Sequence, residues 1–188
     1  MSAGKDGMSS TLRSMAIAVT AGAVAACVAS CGSSGGASPS SSASAPCPVQ
    51  RGGEPATTAS YVITLDVGPV ETMWSQQQVD AQHPTSGEVM LGGVMSMASG
   101  ANARHLEAHI CARATNTVVR NVNPTITMQD TTASGSAPQS VPISVMQGVT
   151  SGPSDLHYGN NVTVTPGHSY SVTVTVKGET ATIPFTAQ

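Results

Sequence analysis

Between residues 58 and 188, apolar side chains recur at every second position in short runs separated by turn residues. Tyr61, Ile63, Leu65 and Val67 alternate with other residues; so do Leu106, Ala108, Ile110 and Ala112. Ile126 with Met128, then Val141, Ile143 and Val145, continue the pattern, followed by Val162 with Val164 and by Val172, Val174 and Val176. Ala181 to Phe185 supplies a last run. A period of two places alternate side chains on one face, the signature of strands with one buried side. The breakers fall between the runs: Asn123-Pro124, Gly135 to Pro138, Gly152-Pro153, Pro166-Gly167 and Gly178. Together these predict an all-β domain, an immunoglobulin-like β-sandwich of seven or eight strands. Ser75 to Gln82 departs from the pattern and reads as one short helix with Ser75 as its N-cap. Leu91 to Asn102, rich in Gly, Ala, Ser and Met, reads as a loop.

The N-terminal part has a different grammar. Lys5 and Arg13 precede an apolar stretch from Met15 to Val28, too short for a stable spanning helix but suited to the core of a secretory signal. Val28-Ala29-Ser30-Cys31 reads as a lipobox, the bacterial signal for lipid attachment to cysteine. Val24-Ala25-Ala26-Cys27 also fits. Cys31 is preferred because a Gly/Ser tether starts directly after it. The expected organisation is a lipoprotein signal peptide over 1–30, a lipidated (palmitate-bearing) cysteine with a Ser/Gly/Ala/Pro tether over 31–57, and the β domain over 58–188. As a flexible coil the tether would span about 27 Å r.m.s.. The expected location is the extracytoplasmic face of the cell membrane, held through the N-terminal lipid. That leaves Cys47 and Cys111 in an oxidising compartment, where a disulfide is the natural pairing, worth on the order of 4 kcal/mol by loop entropy; the alternative is a free or metal-binding Cys111. Removing the signal's net +1 from the whole chain's −3 leaves −4. This mild acidity, with 3% aromatic residues, excludes the basic, stacking surface of a nucleic-acid binder.

Candidate chemistry concentrates in Arg104-His105-Leu106-Glu107-Ala108-His109-Ile110. If Leu106, Ala108 and Ile110 face the core, His105, Glu107 and His109 share the other face, about 6.6 Å apart from neighbour to neighbour. Adjacent members can then converge on one metal ion. Met146 is out of phase with Val141, Ile143 and Val145, so its thioether points to a polar face, where it suits copper. Met128 is in phase with Ile126 and reads as core. Met90, Met95 and Met97 read as gap-fillers or soft ligands. Asp155-Leu156-His157-Tyr158-Gly159-Asn160-Asn161 is a turn leading into a strand, with His157 at the strand start.

His105-Leu106-Glu107-Ala108-His109-Ile110 and Asp155-Leu156-His157-Tyr158-Gly159-Asn160-Asn161-Val162 resemble the two signature stretches of the periplasmic metal-binding proteins associated with high-affinity ferrous iron transport, the family of the pathogen-specific membrane antigen. Val67-Gly68-Pro69-Val70-Glu71-Thr72-Met73 joins the likeness, which covers most of Tyr61 to Phe185. The resemblance implies an immunoglobulin-like sandwich, often a homodimer, binding copper or iron beside an iron or other metal permease. It makes His105, Met146 and His157 ligands and puts Glu107 beside the metal. The family's further C-terminal histidine has no clear counterpart, His168 aligning poorly, and His109 or His83 would complete the set. The segment from Met146 to His157 is longer than in the family.

No nucleophile elbow, phosphate-binding Gly-Lys-Ser/Thr loop or His-Glu-Xaa-Xaa-His helix occurs, so an enzyme is not expected. The expected function is a lipid-anchored transition-metal-binding accessory to metal uptake or handling. The alternative is an immunoglobulin-like interaction or structural module with incidental histidines.

Overall fold

The computed structural model describes residues 46–47, 54–96 and 98–188. The signal segment, most of the tether, Cys27, Cys31 and Met97 lie outside them. No described helix is long and apolar enough to cross a membrane. The described chain is an all-β sandwich of two sheets, one of eight strands and one of four.

The strands are β1 (Ala56–Thr57), β2 (Tyr61–Pro69), β3 (Met73–Ser75), β4 (Glu88–Gly93), β5 (Ala103–Ala112), β6 (Thr117–Val118), β7 (Thr125–Asp130), β8 (Gln139–Val141), β9 (Ser144–Gly148), β10 (His157–Thr163), β11 (Ser169–Val176) and β12 (Glu179–Thr186). The larger sheet runs β1-β2-β5-β10-β9-β4-β3, with β6 paired to β5, and the smaller runs β12-β11-β7-β8. The count exceeds the expected seven or eight because several strands are only two or three residues long, below what periodicity can register. One short strand and one isolated bridge lie before the expected start of the domain. β1 lies in the stretch assigned to the tether, and Pro46 bridges to Thr117. The ordered domain therefore reaches back before residue 58.

Alternation sets the core. Ile63, Leu106, Ala108 and Ile110 from the larger sheet are fully buried, as are Val172, Val174 and Val176 from the smaller. Tyr158 joins this inner layer, and its hydroxyl donates to the Val119 carbonyl at 3.2 Å. The run Val141, Ile143, Val145 is not one strand. β8 pairs with β7 in the smaller sheet and β9 with β10 in the larger, so the chain changes sheets across Pro142. Proline cannot donate a ladder hydrogen bond, which makes it a natural place for a strand to break.

The helix α1 is Gln76–Gln82, capped by a reciprocal pair: the Gln78 amide donates to the Ser75 hydroxyl oxygen, and the Ser75 amide to the Gln78 side chain. β11 and β12 join through Lys177 and Gly178, at φ 48° and 84°. Two successive positive φ values form the tight turn whose twist matches a hairpin, and glycine takes the second without strain. Cys47 and Cys111 are joined by a disulfide with Cα atoms 5.9 Å apart, closing a separation of 64 residues.

Candidate metal centre

Register assembles the site. Along β5, His105, Glu107 and His109 alternate with the core residues and point away from the smaller sheet. Neighbouring strands then bring partners from far along the chain. Gly159 of β10 stands opposite Glu107, and Asn161 opposite His105. His157 pairs with Met146 of β9, which pairs in turn with Met90 of β4. One outward row therefore carries His109, His157, Met146 and Met90. Gly159 permits this: a Cβ there would collide with the Leu106 carbonyl oxygen, so only glycine lets β10 approach β5 so closely.

This outward face is covered. His105, His157 and Met146 are fully buried and His109 nearly so, beside a rim to which Pro46-Cys47, Pro69, Glu71, Ser154 and Asp155 contribute. A cleft of about 750 Å³ opens beside them, lined among others by Asp66, Glu71, Glu88, Glu107, His109 and Asp155.

The three imidazoles share one arrangement. His105 Nδ1 lies 2.9 Å from Asn161 Oδ1, His157 Nδ1 lies 2.8 Å from the Asp155 carbonyl oxygen, and His109 Nε2 lies 3.2 Å from Glu107 Oε2. Each ring donates one N–H to an acceptor, which fixes the tautomer and leaves a lone pair on the other nitrogen. Those nitrogens, His105 Nε2, His157 Nε2 and His109 Nδ1, are buried without any partner. Anchoring one nitrogen to a carbonyl or carboxylate and baring the other is how histidine is prepared as a metal ligand. Glu107 sits among the rings, with Oε1 3.9 Å from His105 Nε2 and Oε2 3.8 Å from His157 Nδ1. Glu107, His109, Asp155 and His157 each offer a ligand atom within 4.8 Å of the others, as do Glu71, Glu88 and Glu107. These groups can hold a metal ion.

Burial governs the charge states. It pushes the His157 imidazole down to about 4, so the ring is neutral at neutral pH and its lone pair is available. It pushes Glu88 up to about 9, helped by the carboxylates of Glu107, Glu71 and Asp155, so this acid keeps its proton. Burial also raises Glu107, but the His109 hydrogen bond, joined by attraction to the neighbouring imidazoles of His157 and His105 when these are protonated, outweighs it and holds the carboxyl below its ordinary range.

The sequence-derived candidates separate cleanly. His105, Glu107, His109, Met146 and His157 all lie on the one buried face. His83 does not join them: it is exposed at the C-cap of α1 in the left-handed conformation, where its backbone N–H donates to Val79. His168 lies at the other sheet, bonded to Asp130 at 2.7 Å. Sequence reasoning missed Glu88, whose Oε2 is 3.6 Å from His157 Nε2, as well as Asp155, Glu71 and Asn161. Glu88 had one readable signal: it is in phase with Met90 and out of phase with the buried Val89. Compared with protein-family models, with curated proteins and with solved structures, the chain matches none.

Proposed function

We propose that this protein is an extracytoplasmic, lipid-anchored protein that binds a transition metal, copper or iron, and serves metal uptake or handling beside a metal permease. The observation that carries the reading is three buried imidazoles gathered beside the Glu107 carboxylate, each hydrogen-bonded at one nitrogen and unpartnered at the other; ligand atoms of Glu107, His109, Asp155 and His157 lie within 4.8 Å of one another, and His105 stands next to this group with Nε2 3.9 Å from Glu107. A histidine buried for packing alone would have no reason to leave a lone pair unmet, because an unpaired buried polar group costs about 1–3 kcal/mol. Imidazole with the Met146 thioether favours copper, while the Glu107 carboxylate suits a harder ion such as iron. His105, His109 and His157 would hold the ion with Glu107, Met146 lying in the same row. When bound, the ion supplies the affinity and redox chemistry; the protein supplies ligand tautomers and a covered setting. The lipobox at Cys31, with Cys27 as the alternative, and the likeness of the two signature stretches support the rest of the reading.

Metal titration of the purified full chain tests it, with copper, iron and zinc in competition. One equivalent should bind tightly, His105→Ala and His157→Ala should each weaken copper at least about tenfold, and His168→Ala should change nothing. Equal copper binding by wild type and the His105→Ala/His157→Ala double variant would overturn it. The lipid is tested separately: Cys31→Ala should abolish membrane attachment.

A further inference from the structure

The outward row of β5 does not end at His109. Cys111 follows two positions later, in phase with His105, Glu107 and His109, and is fully buried. It stands outside the apolar core between the sheets. Its disulfide partner, Cys47, lines the same cleft as Glu107, His109 and Asp155. The bond therefore closes beside the candidate metal centre. Next to it, His109 is 6% exposed and its Nδ1 is buried without a partner. The segment that carries Cys47 is also held by other means: its amide donates to the Asn116 carbonyl at 3.0 Å, and Pro46 bridges to Thr117.

Residues two apart on one strand face are separated by about 6.6 Å. Side chains at that spacing can close on one ion, with nitrogen about 2.0 Å and sulfur about 2.3 Å from it. As half of a disulfide, Cys111 has no thiolate to offer. Cys47 is partly exposed and Cys111 is not, so an attacking thiolate reaches the Cys47 sulfur. The S–S bond breaks, its electron pair leaves with Cys111 as the thiolate, and a mixed disulfide forms at Cys47. The attacker's second thiol then displaces Cys47. In sum an external dithiol is oxidised to its disulfide, and Cys47 and Cys111 are reduced to thiols. Where an ion takes the Cys111 thiolate, one proton goes to solvent. The freed sulfur is a soft donor, unlike the imidazoles and carboxylate beside it, and soft thiolate selects Cu(I).

We propose that Cys111 is a redox-controlled ligand: an external dithiol opens the Cys47–Cys111 bond, and the Cys111 thiolate joins His109 on the bound ion, turning a centre of nitrogen and oxygen donors into one that prefers Cu(I). The proposal rests on reading this face as a metal centre and adds one ligand and its control.

The test uses the full chain, reduced without oxygen on an immobilised dithiol, filtered free of it and titrated with Co²⁺ as a spectroscopic probe. The oxidised chain should bind Co²⁺ without a sulfur-to-cobalt charge-transfer band. The reduced chain should show that band, and should hold Cu⁺ at least about tenfold more tightly against a Cu⁺ chelator. Cys111→Ser should remove the band and His109→Ala should weaken it, while Cys47→Ser should show it with no reductant. Circular dichroism reads whether each form stays folded. A folded, reduced wild type that binds Co²⁺ without the band would overturn the proposal and leave the histidine site standing. So would a band that survives Cys111→Ser, a bond that opens only in denaturant, or a domain that melts on reduction. An oxidised chain that binds no Co²⁺, with a Cys111-dependent band after reduction, would instead overturn the histidine site and leave the thiolate ligand standing.

Discussion

The outward faces of the two sheets solve one problem in opposite ways. On the smaller sheet, Thr127, Thr173, Thr175, Thr180 and Thr182 face solvent or its margin. They pair across strands: Thr173 with Thr182 at 3.2 Å, and Thr175 with Thr180 at 3.0 Å. These hydroxyls pair with one another or lie at the solvent-exposed margin. On the larger sheet the corresponding face is buried and carries His105, Glu107, His109, Met146, His157 and Glu88, with four polar atoms unmet. The first face is built for stability and solubility. The second gives up stability to keep atoms that could hold a metal ion dry, bare and oriented. The contrast singles out the buried face by what is left unsatisfied, not by residue type alone, since a histidine next to the smaller sheet, His168, bonds Asp130 through Nδ1 and leaves no buried nitrogen unmet.

Glycine substitutions probe the contrast most strongly. Gly159→Ala should cost about 3 kcal/mol or more, because the new methyl group meets backbone and not a yielding side chain. Gly178→Ala in the smaller sheet's hairpin has open space around it and should cost only about 1 kcal/mol of left-handed strain. Urea denaturation of both variants measures the difference, and equal losses would mean that β10 can draw back from β5.

Glu88 gives the next largest effect. Its folded carboxyl binds a proton more tightly than the unfolded one, so the stability it contributes is complete below its ordinary value of 4.5 and is lost as pH rises through about 9. His157 has the opposite sign: lowered from 6.5 to about 4, it adds stability as pH rises through that interval and nothing beyond it. Above about pH 6.5 only the Glu88 slope of this pair remains. The metal-free protein should then lose about 2 kcal/mol between about pH 6.5 and about pH 8. Glu88→Gln should flatten that loss. A wild-type stability that does not fall would place the Glu88 proton elsewhere.

Asn161→Leu removes the acceptor that orients His105 without touching a proposed ligand. Copper affinity should fall about tenfold, equivalent to about 1.4 kcal/mol. Calorimetric titration reads it, and unchanged affinity would show that His105 needs no anchor. The smallest effect belongs to the other face. Thr173→Ala/Thr182→Ala should change stability by no more than about 0.5 kcal/mol and leave metal binding alone.

Much of this was legible in the chain. Alternation around Leu106, Ala108 and Ile110 put His105, Glu107 and His109 on one face, and the phase of Val145 turned Met146 outward. Ser75 with Gln78 announced the helix start. What stayed hidden is lateral. β5 lies beside β10, β10 beside β9 and β9 beside β4, an order that no periodicity encodes, so Glu88 and Asn161 could not be joined to His157 and His105. Alternation also runs on past Pro142 as if one strand continued, although the chain changes sheets there. The histidines' burial was equally invisible, because the segments beside them are short and irregular.

The lateral assembly has a consequence for how the protein comes into being. His105 and Asn161 are separated by 56 positions, and Glu88 lies on a strand that reaches His157 only through β9. Contacts of such separation form late, because loop-closure entropy must be overcome before they gain anything. A growing chain that has emerged only as far as β5 lacks His157, Asp155 and Asn161, and with them the geometry of the histidine group. It has little with which to seize an ion prematurely. On the proposed function, ion capture would wait until the sheet closes, and occupancy of the centre would report on completed folding.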